Sequence, residues 1–180
     1  MLKEQSTVNA FIINFILGVI WHYAVLFVCI SIDDSAFDPS KRKYRIRKWE
    51  NGGKFYSDVL KINKWKDFLP QHVGKDGFSK EHIDEVSIEY LDKFILETCR
   101  GEWNHRMNCV FAIVLFTING FTNVSIILAA ADVFGNIPFL IIQRYNRFRL
   151  QKLRKMILRK MERQSKNQAV TYTTAAETET

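Results

Sequence analysis

The chain reads as an all-α integral membrane protein, on three observations. Residues 11–32, FIINFILGVIWHYAVLFVCISI, carry no formal charge over a length that crosses a bilayer as a helix. Residues 107–143 carry a single charged side chain, Asp132. Basic residues gather beside these apolar runs: six of the ten at 41–50 and nine of the twenty at 144–163 are Lys or Arg. A net charge of +7 distributed in this way fits a membrane surface better than a nucleic acid.

The predicted organisation follows in chain order. A tail and transmembrane helix occupy 1–32. The apolar run exceeds the roughly 7–15 residues of a signal-peptide core and lacks a good cleavage site, which favours a retained helix. Asn14 and His22 within it are expected to face protein, His22 as a helix-packing hydrogen-bond partner. Because KRKYRIRKWE (41–50) follows, the N terminus is placed outside the cell and residue 33 onward inside.

Residues 33–106 are expected to form a cytosolic helical segment carrying a polar site. NKWKDFLP (63–70) leads to a loop with a turn at Asp76–Gly77. A helix is predicted to open at Ser79, with Ile83, Val86, Tyr90, Leu91, Phe94 and Ile95 forming one apolar stripe. Residues 107–143 are predicted to form a membrane hairpin turning at NGFTN (119–123). Pro138 should bend or break its second arm, because proline lacks the amide donor. Asp132 must face protein or water, or carry a proton.

Residues 144–164 align Leu150, Leu153, Ile157 and Met161 on one face of a basic interfacial helix. The polar, low-complexity 165–180 is expected to be disordered. Cys29, Cys99 and Cys109 have no metal-ligand spacing and read as reduced thiols. A single Glu-x-x-His, where a di-iron bundle needs two, argues against a metal. Gly-rich phosphate loops and Gly-x-Ser-x-Gly elbows are absent from the sequence.

The polar cluster ETCRGEWNHRMN (97–108) is the candidate site. On a helix, Glu102 can reach His105, and a carboxylate beside a histidine prepares it as a general base. Arg100 and Arg106 are placed to hold a phosphate or oxyanion. Interfacial anchoring by the same Arg, His and Asn residues is the plainer explanation of the cluster.

NKWKDFLP, the acidic helix leading to ETCRGEWNH, and the closing NIPFLIIQRYNRFRL, in that order after the apolar helix, resemble the glycosyl-4,4'-diaponeurosporenoate acyltransferases. The likeness extends over residues 11–160, and QRYNR followed by Arg149 and Leu150 is its most specific string. The resemblance implies transfer of a fatty acyl group from a thioester to a sugar hydroxyl of a membrane glycolipid, the C6 hydroxyl of a glycosylated carotenoid acid.

On that reaction His105 is the expected base and Glu102 its orienting acid. Arg100, Asn104 or Asn108 would stabilise the oxyanion, and Arg144, Asn146 and Arg147 would bind the donor's phosphates or the sugar. Trp65 and Lys66 are secondary candidates, with headgroup anchoring as the alternative. His105 is not followed by the His-x-x-x-x-Asp pattern of glycerolipid acyltransferases, since the fifth residue on is Val110. The expected partners are a membrane lipid acceptor and an acyl-thioester co-substrate, with no metal, other cofactor or nucleic acid. Homo-oligomerisation is left open. The alternatives are an acyltransferase for a non-carotenoid glycolipid and a non-catalytic membrane adaptor.

Overall fold

The computed structural model describes residues 2–69 and 87–178, with side chains for 6–69 and 87–169. Among the described residues there are three long helices and no strand: α1 (Leu2–Ser31), α2 (Ile88–Asn119) and α3 (Asn123–Thr178). Short 3₁₀ turns at Asp34–Phe37, Lys48–Gly53, Ile62–Lys64 and Lys66–Phe68, with a π turn at Phe55–Val59, fill the connection after α1.

α1 and α3 each hold a stretch long and apolar enough to cross a membrane, within Ser6–Ser31 and within Asn123–Ala169. A soluble core helix passes the same test, but such a helix is buried. Only 11% of the α1 stretch is covered by protein, and Phe11, Phe15, Ile20, Phe27 and Ile30 stand exposed along it. A continuous apolar face of this kind points to membrane association.

α2 and α3 form the predicted antiparallel hairpin. Gly120, at φ 64°, ends α2, with its amide bonded to the Phe116 carbonyl. Thr122 and Ser125 then cap α3 reciprocally: Ser125 Oγ accepts from the Thr122 amide at 3.0 Å, and Thr122 Oγ1 from the Ser125 amide at 3.3 Å. Ser87 caps α2 at its other end, accepting from the Tyr90 amide. The expected helix start at Ser79 and the 71–78 loop lie outside the described residues.

Two expectations are corrected. α3 passes through Pro138 without a break. The one lost amide donor is outweighed by packing against α2 along the hairpin, which holds the helix together on both sides of the proline. Second, 144–164 is not a separate element but the continuation of α3. Leu150, Leu153 and Ile157 pack on Leu91, Ile95 and Phe94 of α2, so the predicted apolar face is covered by protein as far as Ile157, and Met161 is exposed. α3 itself is described to Thr178.

α1 lies parallel to α3 and antiparallel to α2, pinned at three heights. Asn14 pairs with Asn119 in both directions. Trp21 Nε1 donates to the Met107 carbonyl at 3.2 Å. At the far end Arg100 donates to the Cys29 carbonyl and pairs with Asp34 and Glu97. The hairpin turn and the start of α1 therefore lie at one end, and the 33–69 connection at the other. Asn14 is buried, as expected of a polar residue in an apolar helix.

Gly101 permits the close α2–α3 approach beneath the connection, because a Cβ there would stand 2.8 Å from Gln143 Cδ. From that contact to the turn, the two arms rise roughly 28 and 32 Å at 1.5 Å per residue. That is about the thickness of a bilayer's hydrocarbon core, near 30 Å.

Candidate active site

Two polar assemblies lie at the connection end of the hairpin. The outer one is a cluster of buried ions. Glu102 is 1% exposed and Arg147 1% exposed. Arg106 and Arg144 both bond Glu102 Oε1, Arg144 at 3.0 Å, while Arg147 bonds Oε2. Arg144 also reaches Glu50 Oε1 at 2.9 Å and Tyr56 Oη at 3.3 Å. Tyr56 donates to Glu50, and so does the Arg47 amide.

This network ties the connection to the hairpin. Tyr56 packs with Ile62, Ile142 and Tyr145, and Arg147 lies over the Tyr44 ring, 5.5 Å from its centroid. Burial alone would push the Glu50 carboxyl up. The hydrogen bonds from Arg144, the Arg47 amide and Tyr56 outweigh it and hold Glu50 below the usual carboxylate range. Burial pushes the Tyr44 phenol up to about 12, with nearby Cys99 and Glu102 adding to the effect.

The inner assembly centres on His105. Glu102 does not meet it, contrary to the helical-spacing argument. Three arginines hold the carboxylate, and the imidazole turns instead towards α3. His105 Nδ1 lies 2.9 Å from Asn136 Oδ1, and its ring stacks on Phe139, 4.9 Å between centroids. Asn136 Nδ2 donates to the Asp132 carbonyl at 2.9 Å and to Asp132 Oδ1 at 3.1 Å.

These two acceptors fix the Asn136 amide with its oxygen towards His105. Nδ1 must then carry the proton, and Nε2 keeps its lone pair. One level nearer the turn, Asn108 Nδ2 stands 3.1 Å from His22 Nδ1. This is the helix-packing contact expected of His22. The oxygens Asn104 Oδ1, Asn108 Oδ1 and Asp132 Oδ2 are buried without a partner.

The other predicted residues sort by these contacts. Arg100 is bound to α1 and to Asp34, and Arg144 and Arg147 are held by the buried carboxylates. Their guanidinium groups are engaged in holding the fold. Asn146 is half-buried. Trp65 donates to the Leu60 carbonyl and packs in the Tyr56 cluster. Lys66 pairs with Asp67. Cys29, Cys99 and Cys109 are free thiols, as expected. No group of metal-ligating side chains occurs among the described residues.

Sequence reasoning missed Glu50, Tyr56 and Asn136 as members of these assemblies. Asn136 was legible only as part of an Asn-Ile-Pro break signal. The isolated Asp132 in an apolar run was the usable clue.

Fold and site together define a helical protein with membrane-length helices and a half-buried histidine, bonded to Asn136, near one end of the helical bundle. The model of the glycosyl-4,4'-diaponeurosporenoate acyltransferase family matches residues 40–156, and the chain belongs to that family; it is an acyltransferase. Among its relatives, the glycosyl-4,4'-diaponeurosporenoate acyltransferase of Staphylococcus aureus strain MRSA252 is 29% identical over 134 residues, covering 73% of this chain and 80% of that protein. The protein of the same name from strain Newman is 31% identical over 128 residues, covering 68% and 76%. No solved structure matches. The matched segment contains Glu50, Glu102, His105, Asp132, Asn136, Arg144 and Arg147, whereas His22 lies outside it.

Proposed function

We propose that the chain is a multi-pass bacterial membrane enzyme that moves a fatty acyl group from a thioester to a sugar hydroxyl of a glycolipid. The acceptor is a glycosylated carotenoid acid acylated at the C6 hydroxyl of its glucose. Family membership and the relatives' names support the acceptor. The observation that carries the chemistry is the Asp132–Asn136–His105 hydrogen-bond chain, which leaves Nε2 of His105 free as a base.

His105 Nε2 takes the proton of the sugar hydroxyl, and the oxygen attacks the thioester carbonyl. The tetrahedral oxyanion is met by His22, which carries its proton on Nε2 when Asn108 donates to Nδ1. The carbon–sulfur bond then breaks, and His105 returns its proton to the departing thiolate. Glu102 and Arg147 act at a distance, by fixing the hairpin under the site. The exposed bases of 41–48, with half-exposed Arg106, supply charge for a phosphate-bearing donor.

The site lies on the cytoplasmic side, with the N terminus and the hairpin turn outside, because the basic segments flank the connection end. There a water-soluble thioester and a lipid acceptor can meet. No cofactor beyond the thioester is required. The experiment is incubation of the purified protein with labelled acyl thioester and a glycolipid extract. Labelled glycolipid is the expected product. Absence of any labelled lipid, with the protein folded, supports a membrane adaptor instead.

A further inference from the structure

A cavity of about 580 Å³ opens between α1 and the hairpin, immediately on the turn side of the His105 assembly. Its α1 wall runs from Phe11 to Tyr23, with Phe11, Phe15 and Tyr23 partly exposed at its open side, and Phe111, Leu128 and Ala131 line the other side. The end nearest the site carries His22, which is bonded to Asn108, and Tyr23. Asp132 lies part-way along, its Oδ1 accepting from Asn136. Asn14 at the far end is already bonded to Asn119 and to the Ala10 carbonyl, so it offers the interior little polarity. The twelve helical steps from Phe11 to Tyr23 make the wall roughly 18 Å long at 1.5 Å per step. That is close to the depth of one leaflet, half of a hydrocarbon core near 30 Å, and falls well short of a rod spanning both leaflets.

We infer that this cavity holds the fatty chain of the acyl donor, carbonyl end beside His105 and His22, methyl end towards Phe11. The inference rests on the acyltransferase reading of the same site. Two substrates bring apolar chains to this enzyme, and they differ in where those chains begin. The acceptor's tail already lies in the bilayer and gains little from enclosure. The donor's chain arrives from water on a soluble carrier, so removing it from water is where the protein gains binding energy. The attacked carbonyl must also stand within about 3.5 Å of the hydroxyl that His105 activates, so the chain attached to it leads away from the site, and the cavity begins there. Gly18 sets the width: a Cβ on it would stand 3.1 Å from Phe111 Cε1. A larger residue at Gly18 or at exposed Ala131 therefore shortens the usable length.

The experiment uses the full-length protein in lipid nanodiscs with two readouts. Photolysis of a hexadecanoyl thioester carrying a diazirine near its methyl end should label peptides spanning 11–23 and 128–132. Gly18→Leu and Ala131→Phe should each lower the ratio of hexadecanoyl to decanoyl transfer at least tenfold. The second variant covers the case in which Gly18→Leu disturbs folding. Labelling that maps outside the cavity, labelling displaced equally by a phospholipid without a thioester, or a chain-length ratio unchanged in both variants overturns the assignment. Labelling in the cavity without transfer of any chain would support the alkyl site and sink the acyltransferase mechanism, so the two claims fail separately.

Discussion

His105 Nδ1 and Asn136 Oδ1 stand 2.9 Å apart across the α2–α3 contact, and the Asn136 amide is turned by its two bonds to Asp132. That pair decides which imidazole nitrogen is basic. His105→Ala should lower kcat by about 10²–10⁴-fold, the usual worth of a general base. Asn136→Ala should lower kcat by a smaller factor while leaving KM unchanged, because it frees the tautomer without touching substrate binding. Steady-state transfer assays on variants with matching thermal unfolding read both. Wild-type kcat in the histidine variant, with the protein normally folded, removes the base from the mechanism.

Why the helix-spacing argument chose the wrong partner for His105 is a matter of competition. Residues three apart on a helix are within reach, but reach is only permission. Glu102 had Arg106 on its own helix, and Arg144 and Arg147 across the hairpin, which no local pattern could rank. The hairpin and its turn were legible because they are local: a long apolar run with a single charge, interrupted by NGFTN. The docking of the 33–69 connection depends on Glu50 and Tyr56, more than ninety positions and nearly ninety positions from Arg144, and nothing in either local stretch announces it. The apolar stripe of 150–157 was read correctly as a stripe. Its assignment to lipid failed because α2 offers a matching stripe at Leu91, Phe94 and Ile95.

Glu102 should matter to stability more than to the proton transfer. Glu102→Ala leaves Arg147 buried and unpaired, and removing one partner of a buried ion pair costs about 3–5 kcal/mol. Replacing both, as Glu102→Leu with Arg147→Met, should recover a large part of the loss. Unfolding in mixed micelles measures the difference. Equal stability of the single and double variants contradicts the buried-pair account.

Acid should release the connection before it melts the helices. Glu50 has a carboxyl pKa held below its unfolded value near 4.3. Its contribution is therefore complete above that value and is lost as pH falls through the folded pKa. Trp49 packs edge-on against Phe55, 5.0 Å between ring centroids, beside Glu50. Fluorescence of a Trp49-only variant should stay constant from pH 8 to about pH 5 and change below about pH 4. Glu50→Gln should remove that transition, and a transition persisting in it assigns the pH dependence elsewhere.

Gly53 of the connection lies against Phe148 of α3. It sits at φ +87°, and a Cβ there would collide with the Phe148 ring. Gly53→Ala meets both backbone strain and the ring, and should destabilise by more than the roughly 1 kcal/mol that a glycine replacement usually changes. Phe148→Ala should relieve the steric part and leave the strain. A double-mutant cycle with no coupling would separate the two residues.

The orientation of the bundle can be read with thiol chemistry. Phe121, 80% exposed, lies beside the hairpin turn, and Lys43 lies in the exposed basic stretch at the other end. Cys29 and Cys99 are buried and should resist labelling, so replacing Cys109 alone gives a quiet background. On intact cells a charged, impermeant maleimide should label Phe121→Cys and spare Lys43→Cys until the membrane is opened. His105 lies about 6 Å along α2 from Gly101, at 1.5 Å per residue, on the same end as Lys43. The reverse labelling pattern would put that histidine at the outer surface, beyond the reach of a cytosolic thioester, and the transfer mechanism could not operate.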